Sequence, residues 1–238
     1  MSYMTGDLQI TAADLTANTS TQMHKLGERA VTPDGRSFRY CKVGGTSLVP
    51  GKLYQAPVEV TNHENLTPTA ASIGDTTLTV TLGNTAATAN QYAEGWVMVT
   101  VTPGQGYQYK IKSHPAASGS ATLVLTLEDP IQVALTTSSR VDLVANPFSA
   151  VIVNPATATA APVGAAVYPV TNAQYGWLQV GGPACLLADG AITVGTSLVA
   201  SNAVAGAVEP LAGVQAAMGI AMTGIADTEY GAVMLTLR

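Results

Sequence analysis

The residues able to do chemistry are few and scattered. His24, His63 and His114 are the only histidines, and none stands at a ligand spacing from another histidine or from a cysteine. All three fall in arm or loop segments and read as solvated side chains. Cys41 and Cys185 lie far apart and form no C-x-x-C pair, so neither a disulfide framework nor a zinc site is indicated. Covalent catalysis needs a nucleophile beside a base, and acid–base catalysis needs groups held within reach of each other. No G-x-S-x-G, H-E-x-x-H or phosphate-binding loop is present. Gly104-Gln105-Gly106 follows a strand pattern with no helix after it and reads as a turn. Asp227 and Glu229 lack the ligand pattern of a calcium loop and read as carboxylates that keep a turn wet. The expectation is a protein that is not an enzyme, with no catalytic residue, no cofactor and no metal. Trp96, Tyr107 and Tyr109 are the remaining candidates, as an aromatic platform for a glycan. Packing competes with that reading, because aromatics are only 5% of the chain and a β core needs them.

Composition points toward assembly. Charged residues are 11% of the 238, against about 25% in an ordinary soluble domain. The surface must then be built from Thr, Ser, Asn, Gln, Ala and Gly, and little in it opposes association. A net charge of -5 argues against nucleic acid as a partner. No apolar run reaches the ~18 residues that a membrane helix needs. The N-terminal sequence shows no basic stretch followed by an apolar one, so no signal peptide is expected. Two free thiols suit assembly in a reducing cytoplasm.

The elements that must position these residues are strands. Residues 1–45 are read as an extended arm and first strand. Ala12–Leu15 is at most a helical turn within it. Thr32-Pro33-Asp34-Gly35 is a turn, and Ser37–Val43 alternates as a half-buried strand with Phe38 and Tyr40 on one face. Further strands are expected over 51–60, 76–82, 95–102, 107–112, 121–127 and 130–136, with turn residues every eight to twelve positions. The best helical candidate after that is the short stretch Leu211–Met218. The fold class expected is all-β, with two small sandwich or barrel modules over 46–146 and 147–238 behind the arm. An internal repeat is also visible. Gly164 precedes Tyr175-Gly176 at the same spacing as Gly219 precedes Tyr230-Gly231, and each unit reads as a strand, a turn and a returning strand. Gly195-Thr196-Ser197-Leu198-Val199 is likewise similar to Gly45-Thr46-Ser47-Leu48-Val49, and Gln174-Tyr175 to Gln91-Tyr92.

Leu26 through Tyr40, with its phrase Asp34-Gly35-Arg36-Ser37-Phe38-Arg39-Tyr40, resembles the opening of head decoration, or cement, proteins encoded by tailed phages. So do Leu48-Val49-Pro50-Gly51-Lys52-Leu53, Gln91–Gly95 and Tyr175–Gln179, and the closing Gly219-Ile220-Ala221 and Tyr230–Val233 are similar to the end of the barrel in smaller members. The resemblance implies a structural virion protein on the capsid exterior. It would bind major capsid proteins of the HK97-like fold, cement neighbouring capsomers and associate with itself, as a homotrimer or alternatively a dimer. Neither nucleic acid nor membrane is an expected partner. Arg29, Arg36, Phe38, Arg39 and Tyr40 are the expected interface, the arginines pairing with acidic groups of the shell. The alternative is a tail, fibre or adhesion module that binds a host glycan through Trp96, Tyr107 and Tyr109.

Overall fold

The computed structural model describes residues 6–213 and 215–237. Four strands precede an insertion: β1 (Leu8–Gln9), β2 (Arg29–Val31), β3 (Ser37–Lys42) and β4 (Leu53–Gln55). Six lie within it: β5 (Thr67–Pro68), β6 (Thr77–Thr81), β7 (Trp96–Val101), β8 (Gln108–Ser113), β9 (Thr122–Leu127) and β10 (Arg140–Val144). Seven follow: β11 (Ile152–Val153), β12 (Pro162–Ala165), β13 (Tyr175–Leu187), β14 (Ser197–Ala200), β15 (Val208–Pro210), β16 (Gly219–Ala221) and β17 (Tyr230–Thr236). The one α-helix among the described residues is α1 (Ala12–Thr16), started by a Thr11–Asp14 capping box. The protein is all-β. No helix forms over the described part of 211–218, and 130–136 contributes no strand, although Ile131 and Leu135 are buried.

The chain forms two compact units. One joins 1–57 to 147–238, and the other is 58–146. This differs from the expected division into 1–45, 46–146 and 147–238. The reason is long-range pairing: β3 lies antiparallel to β13, from the far side of the insertion, with Phe38 opposite Gln179 and Tyr40 opposite Trp177. Local patterning carries no trace of such a partner.

The inserted unit is a closed antiparallel barrel, in the order β10-β7-β8-β9-β6-β5. Leu66 and Val141 exchange backbone hydrogen bonds of 2.8 and 3.0 Å and join its two ends. Strict alternation in β6 and β9 turns Leu78, Val80, Leu123 and Leu125 inward, where each is almost fully buried. Each such side chain contributes about 1.5–3 kcal/mol on burial.

The other unit contains two more barrels of identical plan. The first runs β3, the N-terminal half of β13, β12, β4 and β11, and a parallel bridge from Val151 to Val43 closes it. The second runs the C-terminal half of β13, β17, β16, β14 and β15, and a parallel bridge from Val208 to Ala188 closes it. The thirteen-residue β13 is thus the last strand of one barrel and the first strand of the next.

The correspondence extends to single bonds. Gly51 donates to Ala166 O at 2.8 Å as Gly195 does to Ala221 O. Ala173 and Thr228 take the same left-handed turn, at φ 63° and 64°. A Cβ on Gly176 would meet Val170 at 2.6 Å, and one on Gly231 would meet Ile225 at 2.4 Å. The glycine of each Tyr-Gly pair is therefore where a branched side chain from the preceding loop crosses the strand. The core of the first barrel (Cys41, Val43, Leu48, Tyr54, Val151, Val163, Ala166, Val170, Leu178) maps residue by residue onto that of the second (Leu186, Ala188, Ile192, Leu198, Val208, Met218, Ala221, Ile225, Val233). The expected hairpin repeat is present, with Ala165 opposite Gln179 as Ile220 is opposite Met234. The pairing of Gly195–Val199 with Gly45–Val49 is not: hydrogen bonding matches Gly195 to Gly51. Nor is Gln91-Tyr92 a third case, because Tyr92 is buried in a turn whereas Tyr175 opens a strand.

The segment expected to be an extended arm is docked on its own unit from residue 6 onward; residues 1–5 lie outside the described residues. β1 pairs parallel with β2, and Ile10, Leu15 and Ala30 pack on Phe38, Tyr40 and Trp177.

Candidate interaction surfaces

The five residues expected at an interface divide into two kinds. Phe38 and Tyr40 alternate to the face of β3 that the N-terminal segment covers, and are 0% and 3% exposed. They are corrected here from surface to core. Tyr40 stacks on Tyr175 at 5.9 Å, meets Trp177 edge-on at 5.0 Å and His24 at 5.1 Å, and its hydroxyl accepts from Met23 N–H at 3.2 Å. The arginines are held within the chain. Arg29 and Arg39 stand directly opposite on β2 and β3, a like-charge pairing that is unfavourable by itself. Arg29 turns to Asp7 at 3.3 Å, and Arg39 donates to Gly27 O at 2.9 Å. Arg36, at the other end of β3, donates to Asp34 at 2.8 Å and lies over the Phe38 ring at 5.5 Å. The Thr32 hydroxyl, and then Arg36, hold the Asp34 carboxyl below the usual carboxylate range.

In the inserted barrel, two histidines that read as solvated are buried, His63 at 0% and His114 at 4% exposed. His114 Nδ1 donates to Pro115 O at 2.8 Å, and its Nε2 accepts from Tyr92 N–H at 2.9 Å. His63 Nε2 donates to Thr85 O at 2.9 Å, and its Nδ1 accepts from the Tyr92 hydroxyl. The N–H that His114 Nε2 accepts holds that ring neutral in one tautomer, and both histidines act as structural pegs of the loops beside β7 and β8. Nothing local in the sequence separates a buried loop histidine from a wet one. Burial pushes the Tyr92 phenol up to about 12 and pulls His114 below its usual value.

An acid-lability prediction follows from that histidine. The unfolded chain takes up a proton near pH ~6.5, before the folded one does. Stability conferred by neutral His114 is thus present above that pH and is lost as pH falls through the lower folded value. The melting temperature of the inserted barrel is expected to drop over that range. A His114→Gln variant starts lower and falls less. Parallel pH slopes in the two proteins would refute the assignment.

Trp96, Tyr107 and Tyr109 do not form a platform. Tyr109 points into the barrel at 3% exposure, with its hydroxyl accepting from Gln132 N–H at 3.1 Å. Trp96 alternates to the opposite side of β7 from buried Val97 and Val99. Only Tyr107, stacked on Tyr109 at 6.4 Å, reaches solvent with much of its ring.

Between the two repeated barrels lies a cleft of about 420 Å³. Gln179, Ala166 and Gly51 line it from the first barrel, and Pro183, Cys185 and Tyr230 from the second. Gln179 donates to Gly181 O and Pro183 O at 3.1 and 2.8 Å and leaves Oε1 without a partner. The Cys185 thiol is exposed, whereas burial pushes the Cys41 thiol far up and makes it inert. Among the described residues no cluster of three His, Cys, Asp or Glu side chains could hold a metal ion, and no helix is long and apolar enough to cross a membrane. Comparison of the chain with family models, characterised proteins and solved structures found no match.

Proposed function

We infer that this protein is a non-enzymatic structural component of a virion, assembled in the host cytoplasm, which binds the outer surface of a shell of HK97-fold major capsid proteins and ties neighbouring capsomers together. The observation that carries the reading is a set of closed barrels in a chain with few charged residues, 11% of the whole. Closure leaves few strand edges to pair at random, which lets a weakly charged protein stay specific. Each closed barrel, already ordered, also loses little entropy on docking. Many modest contacts repeated over a lattice add up through multivalency. The resemblance around Asp34–Tyr40 supplies the phage capsid.

Among the described strands, β1 has an open edge. β1 ends the sheet path, and no described strand lies beyond it. Ile10 N–H bonds back to Val31 O at 3.0 Å, so alternation along a parallel pair turns the N–H and C=O of Gln9 outward. That edge can take a strand from the shell by main-chain bonding. Arg29, exposed at the rim beside Asp7, is the arginine best placed to exchange its partner for an acidic group.

The test is co-sedimentation of the purified protein with shells that lack it. Gln9→Pro removes the outward donor and leaves the bonds to β2 in place. It is expected to weaken binding about tenfold, the effect of one lost hydrogen bond, with an unchanged melting temperature. Failure of the unaltered protein to bind shells would overturn the reading.

A further inference from the structure

Because the two repeated barrels are built alike, every position on one has a counterpart on the other. The cover over a surface of the first barrel can therefore be compared with the cover over its counterpart. On the outer face of the first, Leu53, Ala165, Gln179 and Phe38 lie side by side across β4, β12, β13 and β3. Tyr40 and Trp177 form the next row. All six are buried. The N-terminal segment covers Phe38, Tyr40 and Trp177. The second barrel covers Leu53 and Ala165, which join Ala184, Leu186 and Leu235 in one cluster.

The counterparts on the second barrel are exposed or, at Ser197 and Ala232, half-buried. Ser197, Ile220, Met234 and Pro183 form one row. Met222, Ala232 and Cys185 form the next. Ile220 is 46% exposed, Met222 42%, Met234 37% and the adjoining Tyr230 50%. Pro183 and Cys185 are exposed as well. None of these residues carries a charge. A contiguous exposed apolar face of this kind marks an interaction surface rather than ordinary surface scatter.

We propose that this face of the second barrel joins a second copy of the chain, each copy laying the face on its counterpart in the other. Three observations select that occupant. The matching face of the first barrel is covered by elements of this same chain. The exposed face is continuous with that internal interface, since Pro183, Cys185 and Tyr230 also line the cleft against the first barrel. Its own residues carry no charge with which to recognise a foreign partner, and Arg36 in the adjoining cleft is paired with Asp34, so like faces meet without repulsion, as a symmetric contact requires. Its methionines can adapt to each other across the seam. The proposal rests on the internal repeat and not on the capsid reading.

Sedimentation of the full chain over a wide concentration range tests it, together with the rate at which Cys185 reacts with a soluble maleimide. The unaltered protein is expected to self-associate, with Cys185 increasingly protected as concentration rises. Ile220→Glu places a carboxylate in the seam. It is expected to raise the dissociation constant about a hundredfold and to restore rapid labelling, whereas Ile220→Leu keeps association. Circular dichroism, and melting at concentrations low enough for both to be monomeric, should match the unaltered protein, because Ile220 is a surface side chain. A chain that stays monomeric at every concentration overturns the proposal. So does association that Ile220→Glu leaves intact, or in which Cys185 stays fully reactive. Shell binding is not a readout here, so failure of the capsid reading leaves this result unaffected.

Discussion

Phe38→Ala is expected to destabilise the unit formed by 1–57 and 147–238 by about 3–5 kcal/mol, the range for removing a buried aromatic ring. The ring is fully buried, stands opposite Ala30 and Gln179 on neighbouring strands, and lies beneath the Arg36 guanidinium. Its loss leaves a void that the N-terminal segment can fill only by shifting Ile10 or Leu15. A side chain that merely awaited a partner would cost within about 0.5 kcal/mol. The two cases separate cleanly in a denaturant titration followed by circular dichroism. A midpoint unchanged from that of the unaltered protein would show that Phe38 is not packed as described. The same packing bears on truncation. Removing residues up to 30 would strip Ile10, Leu15 and Ala30 from the core, so such a chain would report on stability as much as on binding.

The second large effect concerns the insertion. A chain in which 58–146 is replaced by the short connection Ser201–Ala207, which performs the same task in the second barrel, is expected to fold with its two repeated barrels intact. The excised 58–146 is expected to fold alone. The core residues of the inserted barrel form a cluster of their own, which shares no member with the other three. Its strands close on themselves through Leu66 and Val141. Cooperative melting of both products, with β-type circular dichroism, is the expected result. An unfolded spectrum from either would show that the two units depend on each other.

The alternating stretches were legible from residue types alone. Thr77–Thr81, Trp96–Val101 and Thr122–Leu127 fall within the expected strands, because period-two patterning is a local property. Tyr175-Gly176 and Tyr230-Gly231 revealed the repeat because a close crossing demands glycine at one fixed place. The partner of β3 was not legible, since it lies across the insertion. The fate of Phe38 and Tyr40 was half legible: alternation placed them on one face but could not say that residues 8–31 would cover it. His63 and His114 were misjudged because burial of a loop depends on what closes over it. For Ile220, Met222 and Met234 as well, only the structure shows which side of the repeated hairpin stays uncovered.

The shared strand β13 has a mechanical consequence. Most tandem domains are joined by a linker that stretches before either domain feels a pull. Here the joint is itself a paired strand, hydrogen-bonded to β3 in its first half and to β17 in its second. Tension on one barrel passes directly into the other, and the two cannot part without unzipping the β13 ladder of one of them. Strain applied to one of these two barrels would pass to the other as through a single stiff strut.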